Sequence, residues 1–453
     1  MKSFIYSISI IIKMQSDILK ITDIPLVDET IERYEFHEYE PTARTNLNTA
    51  GEIRINIELQ DLFSHPSESY LQFEGRLTKT DNTAYVNADA VALTNNGLMH
   101  LFSQISYSLS NQEIETLFHP GQATTMLGLL KYPNDFQLAQ GLNQLWYKDS
   151  TATAVIADNS GFAVRQAYLI RKPEAKGTFS FIIPLKHIFG FCDDYDKIVY
   201  GLKHTLALVR KSDDDAIYRT PPVGDDAAAA AAVGKVNIEK ISWFMPHVIP
   251  SDMEKMQLYK TIESKSSLSV AYRARQCDTI TVPQSTTFSW RLSVKTSPEK
   301  PRYIIIAFQT NRDGNQEANP SIFDHCNLKN MFVMMNQDRY PAVDYNLSFP
   351  NQQFSRAYRA AATFSEKFYG MDQIITQSNI TPLDFKDLFP IFVYDVSKQS
   401  ERLKSSVVDI QIKSTFNAAV PAGTEAYAVV ISDKLLEFQS DGQKLSVVYG
   451  KNL

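Results

Sequence analysis

Strict two-residue alternation constrains this chain more than any other feature. Ile53, Ile55, Ile57 and Leu59 alternate with Glu52, Arg54, Asn56 and Glu58. Only an extended strand with one buried and one wet face gathers such residues into a single apolar surface. The period returns at Leu71, Phe73 and Leu77, and at Ile105, Tyr107 and Leu109 with serines between them. Strands are also predicted over residues 179–183, 198–209 and 236–244. In the second half Phe288, Trp290, Leu292 and Val294 alternate with polar residues, residues 303–308 read as a wholly apolar strand, and Val408, Ile410 and Ile412 alternate with Asp409 and Gln411. Residues 426–431 are apolar on both faces, as a strand lying between layers would be. Helical periodicity is brief: residues 95–102, 121–131 and 354–367, and a polar connector at 251–269.

Each half therefore offers about eight strands in roughly 200 residues, the economy of two β-sandwiches of similar plan. The expected organisation is an acidic arm at 1–44, a first sandwich at 45–250 and a second at 251–453 with a short C-terminal tail. Between residues 14 and 44 eight acidic side chains face only Lys20, Arg33 and Arg44, and Pro25 and Pro41 interrupt any helix. The arm is expected to be extended, either solvated or threaded onto a neighbouring subunit. The loop 211–234 is low-complexity, with Asp213–Asp215, two prolines and a run of six alanines, and reads as surface decoration whose alanines could form a helical turn or two.

The apolar run at 4–12 imitates a secretory signal, but Lys13 ends it with no small-x-small cleavage site behind it, and Met14 is an alternative start. The run is too short to span a bilayer, which takes about 20 residues, so no integral membrane segment is expected. A net charge of −6 argues against a protein that wraps duplex nucleic acid. Seventeen glycines against 22 tyrosines and 26 phenylalanines suit aromatic-rich strands. Cys192, Cys277 and Cys326 are too few and too scattered for a disulfide framework.

Catalytic chemistry is hard to find. GxSxG, Walker, GxGxxG and HExxH motifs are absent, and the eight histidines are dispersed. Cys192, Asp193, Asp194 and Asp196 offer carboxylates to a hard cation, although Tyr195 and Lys197 break the alternation a calcium loop wants, which favours a plain acidic turn between strands. Asp324, His325 and Cys326 suggest a nucleophile and base, but neighbours on a strand point to opposite faces. The basic aromatic pairs Tyr272, Arg273, Arg275 and Arg356, Tyr358, Arg359 could touch phosphate or stack on a base, yet in an acidic chain they read better as interface arginines. Sequons at Asn346 and Asn379 read as chance. No catalytic residue, cofactor or metal is nominated.

The order of certain segments carries a resemblance: ELQDLFSHPSESYLQFEGRLTK at 58–79, NNGLMHLFSQISYSLSNQEIE at 95–115, QLWYKDS at 144–150, GTFSFIIPLKHIFGFCDDYDKIVYGLKHTLALVR at 177–210 and EKISWFMPHVIPS at 239–251. Together they resemble the double jelly-roll major capsid proteins of the adenovirus-like lineage, above all the adintovirus and Polinton-type group. The chain departs from that family in its leading 13 residues, in Ser110-Asn111-Gln112 where an Asn-Gly type turn is expected, and in the alanine-rich loop. The resemblance implies an all-β fold of two tandem eight-stranded jelly-roll sandwiches with a few short helices. It implies a structural, non-enzymatic subunit. Three copies would close into a pseudo-hexagonal capsomer that tiles an icosahedral virion shell, meeting other capsomers and a penton or minor capsid protein, after synthesis in host cytoplasm or nucleus without secretion. Interfaces of that kind carry aromatic and arginine anchors, and Tyr272, Arg273, Arg356 and Tyr358 are the candidates. Two other readings exist: a two-domain sandwich that binds glycan or protein through its loops, and a β-sandwich glycosidase, for which no carboxylate pair is evident.

Overall fold

A computed structural model describes residues 30–42, 47–58, 62–221, 231–264, 267–292, 300–371, 378–399, 408–440 and 445–449. Among the described residues, eight strands frame the first sandwich: β1 (Ile31–Tyr39), β2 (Gly51–Ile57), β3 (Tyr70–Lys79), β4 (Phe102–Leu109), β5 (Gln112–Phe118), β6 (Thr178–Pro184), β7 (His204–Arg210) and β8 (Gly234–Pro250). Eight more frame the second: β9 (Leu268–Thr281), β10 (Thr287–Arg291), β11 (Lys300–Thr310), β12 (Leu328–Met335), β13 (Asp338–Tyr340), β14 (Phe392–Asp395), β15 (Ile410–Phe416) and β16 (Thr424–Ser440). Short strands at Phe63–Ser64, Val91–Leu93, Val199–Tyr200, Ile217–Arg219 and Leu445–Tyr449 add to these. All pairings are antiparallel. The first sandwich packs the sheet β1-β8-β3-β6 on β2-β7-β4-β5, and the second packs β9-β16-β11-β14 on β10-β15-β12-β13. Adding eight to every label of the first sandwich reproduces the second, so the chain is a structural tandem repeat.

Alternation becomes burial as expected. Ile53, Ile55 and Ile57 are buried between exposed Glu52 and Arg54, and Leu71, Phe73 and Leu77 line the opposite sheet. Strand β8 keeps its buried face only through a bulge: the register shifts between Ile238 and Lys240, and the inward residues pass from Val236 and Ile238 to Ile241, Trp243 and Met245. The two-residue turn between β4 and β5 is made by Ser110 (φ 48°) and Asn111 (φ 67°), which supply the two positive φ angles that a tight hairpin needs without a glycine. Residues 426–431 are buried throughout, in a central strand whose outer face meets the first sandwich, where the Tyr427 ring stands edge-on to His119 at 5.7 Å.

Helices lie in the connections: α1 (Pro120–Lys131), α2 (Ser160–Leu169), α3 (Gly190–Asp194), α4 (Asp252–Glu263), α5 (Ser355–Ala362), α6 (Phe364–Tyr369) and α7 (Pro382–Asp387). Four expectations need correction. Residues 31–39 are a strand of the first sandwich's own sheet, because pairing with β8 satisfies a backbone that a free arm would leave to water. Only Gly97–His100 of residues 95–102 is helical, and Phe102 already opens β4. Residues 211–221 pack rather than decorate: Ile217–Arg219 pair with Val91–Leu93, and buried Asp215 accepts the Gly314 N–H at 2.7 Å. Most of the alanine run lies outside the described residues. Finally, His325 and Cys326 sit in a turn, not on a strand; Cys326 and Asn327 have positive φ, and the His325 ring stacks on Phe349 at 4.2 Å.

Candidate functional site: the seam between the sandwiches

The two sandwiches meet where β5, α1 and α3 of the first press on β9 and α6 of the second. Strand β9 is the edge of its sheet, and edge strands carry unpaired N–H and C=O groups that must be covered. Here carboxylates cover them. Asp194 accepts the Arg273 N–H at 2.7 Å, and Glu115 accepts the Arg275 N–H at 2.7 Å. Glu115 also takes the N–H groups of Gly190 and Phe191, at 3.0 and 3.1 Å, at the start of α3. Tyr272 donates its hydroxyl to the Ile114 carbonyl at 2.8 Å. The backbones come so close that a Cβ on Gly190 would fall 1.8 Å from the Arg273 carbonyl oxygen, a place only glycine fits.

Side chains above this line form a buried ion network. Asp193 binds Lys131 Nζ at 2.6 Å and Arg275 at 2.5 Å, while Arg273 pairs with Asp194 and lays its guanidinium 3.7 Å above the Phe368 ring. Arg275 also donates to the His187 carbonyl at 2.9 Å. Burial pushes the Glu115 carboxyl up, opposed by Arg275 and the three backbone donors. Burial alone would raise Asp193 as well, but Lys131 and Arg275 hold it below the usual carboxylate value. The Lys131 ammonium is lowered to about 7, first by burial and then by Arg275. His187, beside them, is lowered to about 3 by burial and stays neutral.

A second anchor stands at Asp149. Its carboxylate is fully buried, pairs with buried Arg165 at 2.7 Å and accepts Asn159 Nδ2 at 2.8 Å within the first sandwich, then Asn319 Nδ2 at 2.9 Å and Ser321 Oγ at 3.2 Å from the second. Paired and hydrogen-bonded on both oxygens, it is a buried charge with its partners in place.

The residues singled out in the sequence are therefore separated. Tyr272 and Arg273 lie in the seam within one chain. Arg356 is exposed on α5, donating to the Asp344 carbonyl at 2.7 Å, with its guanidinium 5.1 Å over the Tyr345 ring. Tyr358, two residues on, donates to the Ile380 carbonyl at 3.1 Å. The acidic cluster proves to be α3: Asp193 and Asp194 serve arginines and a lysine, and Asp196 serves His65 at 2.7 Å. Among the described residues no group of three or more His, Cys, Asp or Glu could hold a metal ion, and no helix is long and apolar enough to cross a membrane. Glu115 and Asp149 went unnoticed in the sequence. An acid inside an otherwise apolar stretch, as in Glu115-Thr116-Leu117-Phe118, was the available signal.

A groove of about 430 Å³ opens beside the network, lined by Tyr132, Phe136, Tyr369, Lys186 and Glu68 among others.

A family model for the double jelly roll-like domain matches residues 91–436, well over half of the chain. The chain belongs to that family. Solved structures share its fold across nearly its whole length. The Faustovirus major capsid protein matches at 9% identity with a TM-score of 0.54, covering 93% of each chain. The Sputnik virophage structure matches at 10% identity and 0.56, covering 94% of this chain and 90% of that one. The mavirus major capsid protein matches at 13% identity and 0.53, covering 94% and 91%. No curated protein matches by sequence. At these identities the likeness lies in the double jelly roll itself, which is the tandem repeat described above.

Proposed function

We propose that this chain is a major capsid protein, three copies of which close into a trimeric capsomer of pseudo-hexagonal outline that tiles an icosahedral viral shell. The observation that carries this reading is the seam. Two like sandwiches held side by side by a buried ion network form a rigid two-lobed block, and three such blocks present six similar lobes around an axis. The role is architectural: the buried carboxylates of Glu115 and Asp193 in the first lobe are occupied in holding Arg275 of the second. Within this reading the virion is the site of residence, further capsomers and a penton or minor capsid protein are partners, and the adintovirus or Polinton-type lineage is the source. The aromatic-lined groove supports a second reading, a binding module that acts as a monomer. Light scattering across a concentration series separates the two. A stable species of three times the 51.3 kDa chain mass supports the capsomer, and a monomer at every concentration supports the module.

A further inference from the structure

Among the described residues, strand β1 pairs with β8 alone, and a pair of histidines lies across that one join. His37 of β1 and His247 of β8 stack their rings, with centroids 4.1 Å apart and planes 17° from parallel. Their surroundings differ. His37 keeps nearly half of its side chain in solvent, with Glu35 Oε2 3.8 Å from its Nε2, whereas His247 is 5% exposed. Nε2 of His247 lies 3.0 Å from the Tyr39 hydroxyl, so β1 itself supplies part of the cover over this ring. His204 belongs to the same group: it lies 2.8 Å from Ser64 Oγ, and Ser64 is the strand partner of His247.

Two neutral imidazoles stack readily, and so do one neutral and one protonated ring, but two imidazolium rings at this separation repel. Burial first, and then His37, lower His247 to about 4, opposed by Glu35. A closed β1 therefore refuses a proton that an open β1 would admit. Closure is fully favoured above pH 6.5 and weakens as pH falls towards 4. The other charges around β1 are already engaged. Arg33 lies 3.9 Å from Glu35, and Glu38, held below the usual carboxylate value by Lys240 and Ser242, keeps its charge at pH 5. Tyr34 Oη is 2.9 Å from His65 Nδ1, Asp196 holds Nε2 of that ring at 2.7 Å, and Glu68 pairs with Lys186 at 3.1 Å. These contacts set how firmly β1 is held; the stacked pair makes the hold depend on pH.

We infer that β1 is a proton-operated latch: a second proton on the stacked pair His37–His247 releases β1 from β8 while the rest of the first sandwich stays folded. Release bares the edge of β8 from Trp243 to Pro250. The latch lies within one chain and stands whether or not three copies close into a capsomer.

Hydrogen exchange read by mass spectrometry on the full chain at pH 7.5, 6 and 5 tests it, with rates expressed as protection factors so that the intrinsic pH dependence of exchange cancels. Peptides covering Ile31–Tyr39 should lose protection by about 30-fold between pH 7.5 and 5, the factor that follows from a shift of 6.5 to about 4. Peptides of β3, on the other side of β8, should stay protected over the same labelling times. His247→Gln can still hydrogen-bond to Tyr39 but has no charged form, and should make β1 protection independent of pH. Should that variant fail to fold, His37→Gln changes an exposed side chain, removes the stacked like charge and should shrink the pH effect. Wild-type β1 protection that does not change with pH overturns the latch, as does an undiminished pH effect in the variants. Loss of protection in β1 and β3 together shows general unfolding and overturns it equally.

Discussion

Glu115 accepts the backbone N–H of Arg275 at 2.7 Å across 160 residues of sequence. That single bond joins an edge of the first sandwich to an edge of the second. The same carboxylate caps the start of α3, where the helix dipole also favours a negative charge. It is thus the point at which both lobes and the helix wedged between them share one group.

Glu115→Ala leaves three buried N–H donors unpaired and removes the acid facing Arg275. A loss of about 3 kcal/mol or more is expected in chemical denaturation. Glu115→Gln keeps the shape but turns one acceptor into a donor, and should fall between Ala and wild type. An alanine variant as stable as wild type would refute the role assigned to this carboxylate.

Gly190→Ala places a Cβ against the Arg273 carbonyl and must push the lobes apart. Overpacking of this kind costs about 1–3 kcal/mol. Limited proteolysis should then release separate lobes more readily than in wild type. Gly51, where a Cβ meets nothing within 4 Å, is the control: Gly51→Ala should leave the cleavage pattern unchanged.

Acid should loosen the first sandwich. His100, His187 and His204 are each lowered from 6.5 to about 3 by burial, and His204 lies within hydrogen-bond distance of Ser64 Oγ and Tyr107 Oη, 2.8 Å from each. Below pH 6.5 the unfolded chain binds protons that the folded chain refuses, so stability falls as pH drops from 6.5 towards 3. The slope is about 1.4 kcal/mol per pH unit for each histidine. Glu115 works the other way over a narrower window above 4.5, because its folded pKa is raised. Denaturation midpoints at pH 7.5, 6 and 5 should decrease in order, and His204→Gln, which has no charged form, should flatten the slope. A profile flat over that range would contradict neutral burial of these rings.

The hairpin of β4 and β5 holds Ser110 and Asn111 at positive φ. Asn-Gly is the sequence such a turn prefers. The double variant S110N/N111G should therefore stabilise the protein by about 0.5–1 kcal/mol, read as a higher melting temperature. A lower one would show that the serine hydroxyl, which accepts the Lys203 N–H at 3.3 Å, matters more than the backbone.

Most strands were legible because their signal is local. Alternation at Ile53–Ile57 or Ile105–Leu109 reports burial directly, and the apolar run at 426–431 announced a strand covered on both faces. Where the pattern failed, a neighbour decided the outcome. The acids of residues 32–40 read as a free arm because nothing in them shows that β8 stands ready to pair. The low-complexity look of 211–234 hid Asp215 and Ile217, whose partners come from 91–93 and 314. Cys192–Asp196 read as a plain acidic turn between strands, since the arginines that claim its carboxylates lie some 80 residues further on.

What the sequence determined by itself was the class of element and the count of layers: side chains alternate on a strand by covalent geometry, so a two-residue period commits the chain to sheets with one face in a core. The tertiary structure alone decided which edges meet. Glu115, Asp149, Asp193 and Arg275 acquire their roles only when strands distant in sequence come within 3 Å and exclude water, since the energy of a buried carboxylate is set by the partners that reach it and not by the residues beside it.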